Sequence, residues 1–246
     1  MTLLDREDFV GRLFYPRADT GTTPAGASDH AIEVDGATLQ LRVHGGRLGE
    51  RAPVVLLFHG NGEIVADWDA TAPRFASLGL RFAVVDYRGY GRSTGIPTMQ
   101  RLLDDAHVVL ASVRAMTDGP LFVMGRSLGS AAAWEVAADG GIAGLIVDSG
   151  FADVDAFAQR RGVDPASVTD EERAGLDPLP KIAAVEIPVL MLHGEEDTLI
   201  SIDEAERARA ASRSARLVRL AGRGHNDLWR DPAYWPALAE FLTRAP

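Results

Sequence analysis

The densest chemical signal in the chain is Gly125-Arg126-Ser127-Leu128-Gly129, preceded by the apolar run Leu121-Phe122-Val123-Met124 and followed by Ser130-Ala131-Ala132-Ala133. A strand that turns abruptly into a helix at Ser127 strains the serine backbone. The residues two away on each side must then lack side chains, which Gly125 and Gly129 satisfy. The hydroxyl is presented at a helix N-terminus, where amides and the helix dipole favour developing negative charge. This pattern suits a nucleophile attacking an acyl carbon.

A serine hydroxyl is a weak nucleophile at neutral pH and needs a base. Of the six histidines, His30 and His44 flank predicted hairpin strands, His59 and His193 end apolar strands, and His107 holds an apolar-periodic helix position. His225 differs, because it lies in the glycine-rich loop Gly222-Arg223-Gly224-His225-Asn226-Asp227 after the last predicted strand. We assign it as the base. An imidazole in this role needs a carboxylate to set its tautomer. Asp197, in His193-Gly194-Glu195-Glu196-Asp197, is the favoured acid, with Glu195, Glu196, Asp227 and Asp148 as competitors.

Acyl transfer also needs donors for a tetrahedral oxyanion. The Leu128 amide supplies one, and the loop His59-Gly60-Asn61-Gly62-Glu63 supplies the other through Asn61, with Gly62 as the alternative. Gly60 and Gly62 are expected to let the backbone approach a substrate. Glu63 and Arg126 lie beside the donor and the nucleophile, where they either bind a polar substrate group or tie to one another. Phe151, with Trp68 and Phe157, is a candidate for lining an acyl pocket, against the alternative of simple packing.

These residues require a scaffold that gathers loops from distant parts of the chain. Residues 31–43 alternate polar with apolar on either side of Asp35-Gly36, which predicts an antiparallel hairpin. Beyond it, short apolar runs at 54–58, 81–86, 121–125, 142–148, 187–193 and 216–220 alternate with helical periods, as buried parallel strands do. Helix signals punctuate them. Thr98 is an expected N-cap, Ser201 and Glu204 an expected capping box, Asp231-Pro232 an expected helix start, and Gly140-Gly141 an expected stop. Residues 151–181 exceed what a crossover needs, and are read as a small cap over the strand ends rather than an acidic loop. The expected organisation is one α/β domain over residues 1–246.

Composition narrows the partners. A formal charge of -10, from 25 basic and 35 acidic residues, disfavours nucleic acid and anionic lipid surfaces. No window approaches a membrane span, and the charged start Asp5-Arg6-Glu7-Asp8 is unlike a signal peptide, so a cytoplasmic location is expected. The absence of cysteine excludes disulfides and thiol nucleophiles.

Taken together, Phe58-His59-Gly60-Asn61-Gly62, Asp86-Tyr87-Arg88-Gly89-Tyr90-Gly91-Arg92-Ser93, the Ser127 pentapeptide, His193-Gly194-Glu195-Glu196-Asp197 and Gly224-His225 resemble the α/β-hydrolase superfamily, as does the early Phe14-Tyr15-Pro16-Arg17. The likeness runs from about residue 31 onward. It implies an α/β fold with a mostly parallel eight-stranded sheet, helices on both faces and a short cap after the sixth strand. It also implies no cofactor and no metal. The activity it implies is hydrolysis of a carboxylic ester or thioester, with a small-molecule acyl compound as substrate. The same triad would serve a peptidase or acyltransferase, and a non-catalytic ligand-binding protein on this fold is the alternative of a different kind. A dehalogenase or epoxide hydrolase would need a carboxylate where Ser127 stands.

Overall fold

The computed structural model describes residues 7–244. After the short helix α1 (Glu7–Leu13), strands β1 (Ala27–Val34) and β2 (Ala37–His44) pair antiparallel, with Val34 opposite Ala37. Only Asp35 and Gly36 lie between them, and Gly36 takes φ 71°, the positive value such a tight turn demands. Six further strands follow: β3 (Val54–Phe58), β4 (Arg81–Val85), β5 (Leu121–Arg126), β6 (Gly144–Asp148), β7 (Val189–Gly194) and β8 (Ala215–Leu220). They complete an eight-stranded sheet in the order β1-β2-β4-β3-β5-β6-β7-β8. β2 meets β4 antiparallel, and every later pair is parallel.

The continuous apolar runs arise because the central strands are covered on both faces. Alternate residues feed two cores. Leu56, Val123, Leu145 and Met191 pack with Val109 of α3 (Met99–Arg114) and Trp134 of α4 (Gly129–Ala138). Leu57, Met124, Ile146 and Leu190 pack with Phe75 of α2 (Ala72–Ser77) and Leu238 of α9 (Tyr234–Arg244) on the opposite face. With the strands parallel, the loops that leave β3, β5, β7 and β8 emerge at one edge of the sheet. That edge gathers Asn61, Ser127, Asp197 and His225.

Residues 151–181 are helical rather than an acidic loop. They contain α5 (Val154–Arg160), a 3₁₀ turn at Pro165–Ser167, α6 (Asp170–Leu176) and most of α7 (Pro178–Ala184), all inserted between β6 and β7. Side chains cap each start: Asp153 accepts from the Ala156 amide at 3.0 Å, Thr169 from Glu172 at 3.2 Å, and Asp177 from Leu179 at 3.0 Å.

Two helix signals differ from expectation. Ser201 precedes α8 (Ile202–Ala211), but its side chain makes no cap, and Glu204 turns away from it. The Glu204 carboxylate is buried and accepts from the Ala152 and Asp153 amides at 3.0 and 3.2 Å and from Arg160 at 2.5 Å. A buried carboxylate needs several donors, and the start of the inserted segment offers more than the local cap does. The last helix starts at Tyr234 rather than directly at Pro232, because Asp231 accepts from the Ala233 amide at 2.9 Å in a turn that precedes it. Thr98 does cap α3, accepting from Arg101 at 3.1 Å, and Gly140 and Gly141, both at φ 75°, follow the end of α4. Among the described residues, no helix is long and apolar enough to cross a membrane.

Candidate active site

Ser127 sits between β5 and α4 at φ 49°, a conformation that costs a side-chain-bearing residue about 1–3 kcal/mol. The surroundings leave it no alternative. A Cβ on Gly125 would lie 2.5 Å from that of Ala133, and one on Gly129 would collide with the Phe58 carbonyl, so strand and helix close on each other only through glycine. The Ser127 amide donates to the Asp148 carbonyl at 2.9 Å, and the Ser130 hydroxyl donates to the Ser127 carbonyl at 2.7 Å.

Three loops then meet. The Ser127 hydroxyl lies 2.9 Å from Nε2 of His225, and Nδ1 of the same ring lies 2.7 Å from Oδ2 of Asp197. An ionised carboxylate only accepts, so Nδ1 carries the proton and Nε2 is left as the acceptor for the serine hydroxyl. Asp197 is held in turn by the Leu199 and Ile200 amides, which donate to Oδ1 at 2.9 and 2.8 Å. Burial by itself raises this carboxyl, but the His225 hydrogen bond, the Ile200 amide and the nearby imidazoles outweigh it, and its pKa falls below the ordinary value. Such a set can withdraw the serine proton, hold it on the imidazole and return it to a departing group.

Asp148, the competing acid at the end of β6, does not pair with His225. Its Oδ2 accepts from the Tyr234 hydroxyl at 2.7 Å, and burial raises its pKa against the opposing Arg126 charge and that hydrogen bond. Asp227 accepts from the Gly224 amide at 2.8 Å and so shapes the histidine loop instead. Glu195 pairs with Arg219 at 2.8 Å.

The Asn61 side chain is anchored on three sides. It donates to the Leu13 carbonyl at 2.6 Å, and its oxygen accepts from the Tyr90 hydroxyl at 2.6 Å and the Tyr15 amide at 3.0 Å. Arg17 donates to the Gly62 carbonyl at 2.7 Å and pairs with Asp67. The segment 13–17 therefore straps the loop that follows β3. Its only sequence signal is an aromatic cluster far from the other motifs, and nothing local reveals the strap. Gly62 takes φ 79°, which explains its identity.

Gly60 also sits against two charged side chains. A Cβ there would lie 2.5 Å from the Arg126 guanidinium and 3.1 Å from Glu63, so the glycine gives these two side chains room. Glu63 and Arg126 form an ion pair. Arg126 also donates to Asn226 at 2.9 Å and to the His225 carbonyl at 3.3 Å, while Glu63 accepts from the Gly60 amide at 2.8 Å and from Trp68 at 3.2 Å. Arg126 thus fastens the loops after β3, β5 and β8 together. Asn226 is its partner in the histidine loop, and no motif in the sequence marks it.

Phe151 takes the packing arrangement, the alternative to a pocket wall. It is 3% exposed and stacks on Phe157, with ring centroids 4.7 Å apart, in the core beneath the inserted helices. Among the described residues, no group of three His, Asp or Glu side chains could hold a metal ion.

The model of a family described as serine aminopeptidase, S33, matches residues 49–160. The uncharacterized protein Rv2307c of Mycobacterium tuberculosis is 31% identical over 204 residues, covering 79% of this chain and 71% of that one. The uncharacterized protein YfhR of Escherichia coli K12 is 29% identical, covering 76% and 69%. The lysophosphatidylserine lipase ABHD12 of Gallus gallus is 27% identical over 79% of this chain, which spans 59% of the lipase. Among solved structures, the esterase Pf2001 of Pyrococcus furiosus superimposes with a TM-score of 0.73 at 19% identity, over 95% of this chain and 98% of that one. A thioesterase domain from the curacin biosynthetic pathway gives 0.65 at 19%, over 88% and 99%.

Proposed function

We propose, since the chain belongs to the α/β-hydrolase superfamily, that it is a serine hydrolase that cleaves a carboxylic ester or thioester of a small molecule through an acyl-enzyme on Ser127. The observation that carries this reading is the unbroken run from Ser127 Oγ through the His225 ring to Asp197, with gaps of 2.9 and 2.7 Å. Ser127 attacks the acyl carbon as His225 takes its proton, and the Leu128 and Asn61 amides receive the oxyanion. His225 then passes the proton to the leaving group, and water repeats the sequence to release the acid. Asp197 keeps the imidazole in the working tautomer throughout. Residues 151–181 form a cap over this edge of the sheet, within a single domain. The lipase relative supports an ester substrate, and the aminopeptidase description of the matching family favours an amide as the second reading.

Labelling with a fluorophosphonate probe tests the proposal. Wild type should label, and Ser127→Ala should not. His225→Ala should label more slowly by about 10³-fold or more. A folded wild type that stays unlabelled overturns the reading. p-Nitrophenyl esters, the matching thioesters and aminoacyl p-nitroanilides then separate ester, thioester and amide cleavage.

A further inference from the structure

Beside His225 lies a cavity of about 580 Å³ that the nucleophile, its acid and the oxyanion donors do not account for. That volume falls within the usual ~300–1,000 Å³ for a small-molecule site. Its walls include Trp68, Phe75, Met124, Tyr234 and Trp235, on the face of the sheet covered by α2 and α9. Arg126 and His225 also line it. His225 is therefore at once the wall of this cavity and the group 2.9 Å from the serine hydroxyl.

That shared residue decides which half of a substrate the cavity suits. When the tetrahedral intermediate collapses, the bond from the acyl carbon to the departing oxygen breaks, and the proton on His225 Nε2 passes to that oxygen. The leaving group must lie against the imidazole, while the acyl group stays on Ser127.

The lining chemistry narrows the class further. Asp148 is 4% exposed and lines the cavity. Its Oδ2 holds the Tyr234 hydroxyl, but Oδ1 is buried with no hydrogen-bond partner among the described residues. The other carboxylates there are taken, Glu63 by Arg126 and Asp67 by Arg17. A buried carboxylate oxygen with no donor is costly, and a ligand that brings either an N–H donor or a positive charge to it is favoured. The aromatic walls accept positive charge, since the Arg74 guanidinium already lies 4.7 Å from the Trp235 ring centre at the rim. The two arginines of the lining are already engaged, Arg126 with Glu63 and Arg74 over the Trp235 ring, so a negatively charged group would face the Asp148 carboxylate against cations that have other partners.

We propose that this cavity is a leaving-group subsite for an alcohol bearing an amine or quaternary ammonium, held by the aromatic walls and Asp148. The proposal rests on the serine-hydrolase reading above. Burial keeps the Asp148 carboxyl above its ordinary range, and an arriving cation supplies the counter-charge that favours its ionised form.

The test uses two butyrate esters of the same shape, one of choline and one of 3,3-dimethylbutanol, which differ only in charge. Wild type should cleave the choline ester with a kcat/KM about tenfold higher or more. Asp148→Asn and Trp68→Ala should each bring the ratio toward one. Ala70→Trp, at the exposed rim, should lower kcat/KM for both bulky esters relative to methyl butyrate. A wild-type ratio near one, or a ratio that survives Asp148→Asn, overturns the subsite. The wild-type ratio needs no variant, so a poorly folding variant does not rescue the proposal. A protein that takes the fluorophosphonate and cleaves p-nitrophenyl butyrate, yet ignores the charge, loses the subsite alone. One that does neither loses the hydrolase reading itself.

Discussion

Asp148 and Asp197 stand at the exits of adjacent strands, the first ending β6 and the second just beyond β7, and both are almost fully buried. Their environments drive them in opposite directions. Asp197 meets an imidazole and two backbone amides, and its pKa is lowered despite burial. Asp148 meets one phenol, with a guanidinium further off, and its pKa is raised. The same residue type at similar depth becomes a dependable anion or a reluctant one according to the number of donors aimed at it. The loop after β7 supplies those donors, because it curls so that the Leu199 and Ile200 amides point back at Asp197.

The sharpest way to break this contrast is kinetic. Asp197→Asn should lower kcat on p-nitrophenyl butyrate by about 10⁴-fold, because the amide no longer holds the required tautomer. Asp148→Asn should cost at least a hundredfold less on the same substrate. Equal losses would mean that both carboxylates serve His225.

The next largest effect concerns the side chain between the two regions. Arg126 reaches the His225 loop and its charge acts on Asp148. Arg126→Met should lower kcat by about a hundredfold through misplacement of the loops after β3 and β8, with a smaller change in KM. The fluorophosphonate should still label the protein, only more slowly. A change confined to KM would instead make Arg126 a substrate-binding residue.

The smallest effect is on stability. A carboxyl whose pKa is raised on folding contributes stability that is full below its unfolded value of 3.8 and is lost as pH rises through the folded value. Asp148→Asn should therefore raise Tm relative to wild type at about pH 7, and the gap should close by about pH 3. A lowered carboxyl contributes above 3.8 and loses that contribution as pH falls through its folded value. Asp197→Asn should thus lower Tm at neutral pH, with the gap narrowing in acid. Each kcal/mol corresponds to ~2–4 °C for a chain of this size. Thermal melts of the three proteins across this range would expose shifts of the same sign, which the contrast forbids.

Much of the fold and of the site is legible in the amino-acid sequence. The strand-turn-helix at Ser127, the Asp35-Gly36 hairpin and the apolar runs that become β3 to β8 are local patterns, and local patterns carry their own backbone constraints. The sequence favours Asp197 among five candidate partners for His225, yet no spacing along the chain excludes Asp148. Glu204 shows the limit well. Its distance from Ser201 suits a capping box, but Ala152, Asp153 and Arg160 approach it through space and claim the carboxylate. The sequence leaves Phe151 open between lining a pocket and packing for the same reason, since its stacking partner Phe157 reaches it only when α5 folds back over it.

What the sequence determined by itself was the set of positions where the backbone has one workable conformation: glycines around a strained serine, a glycine at a positive-φ turn, and apolar runs with nowhere to go but between two helical layers. Tertiary structure alone decided which carboxylate is anchored and which is left short of donors, which loops Arg126 fastens together, and that a cavity opens behind His225. The physical reason is range. Steric limits on φ and the period of side-chain burial act between near neighbours in the chain, whereas ionisation, ion pairing and enclosed volume depend on groups far apart in the chain that only the closed sheet brings within a few ångströms.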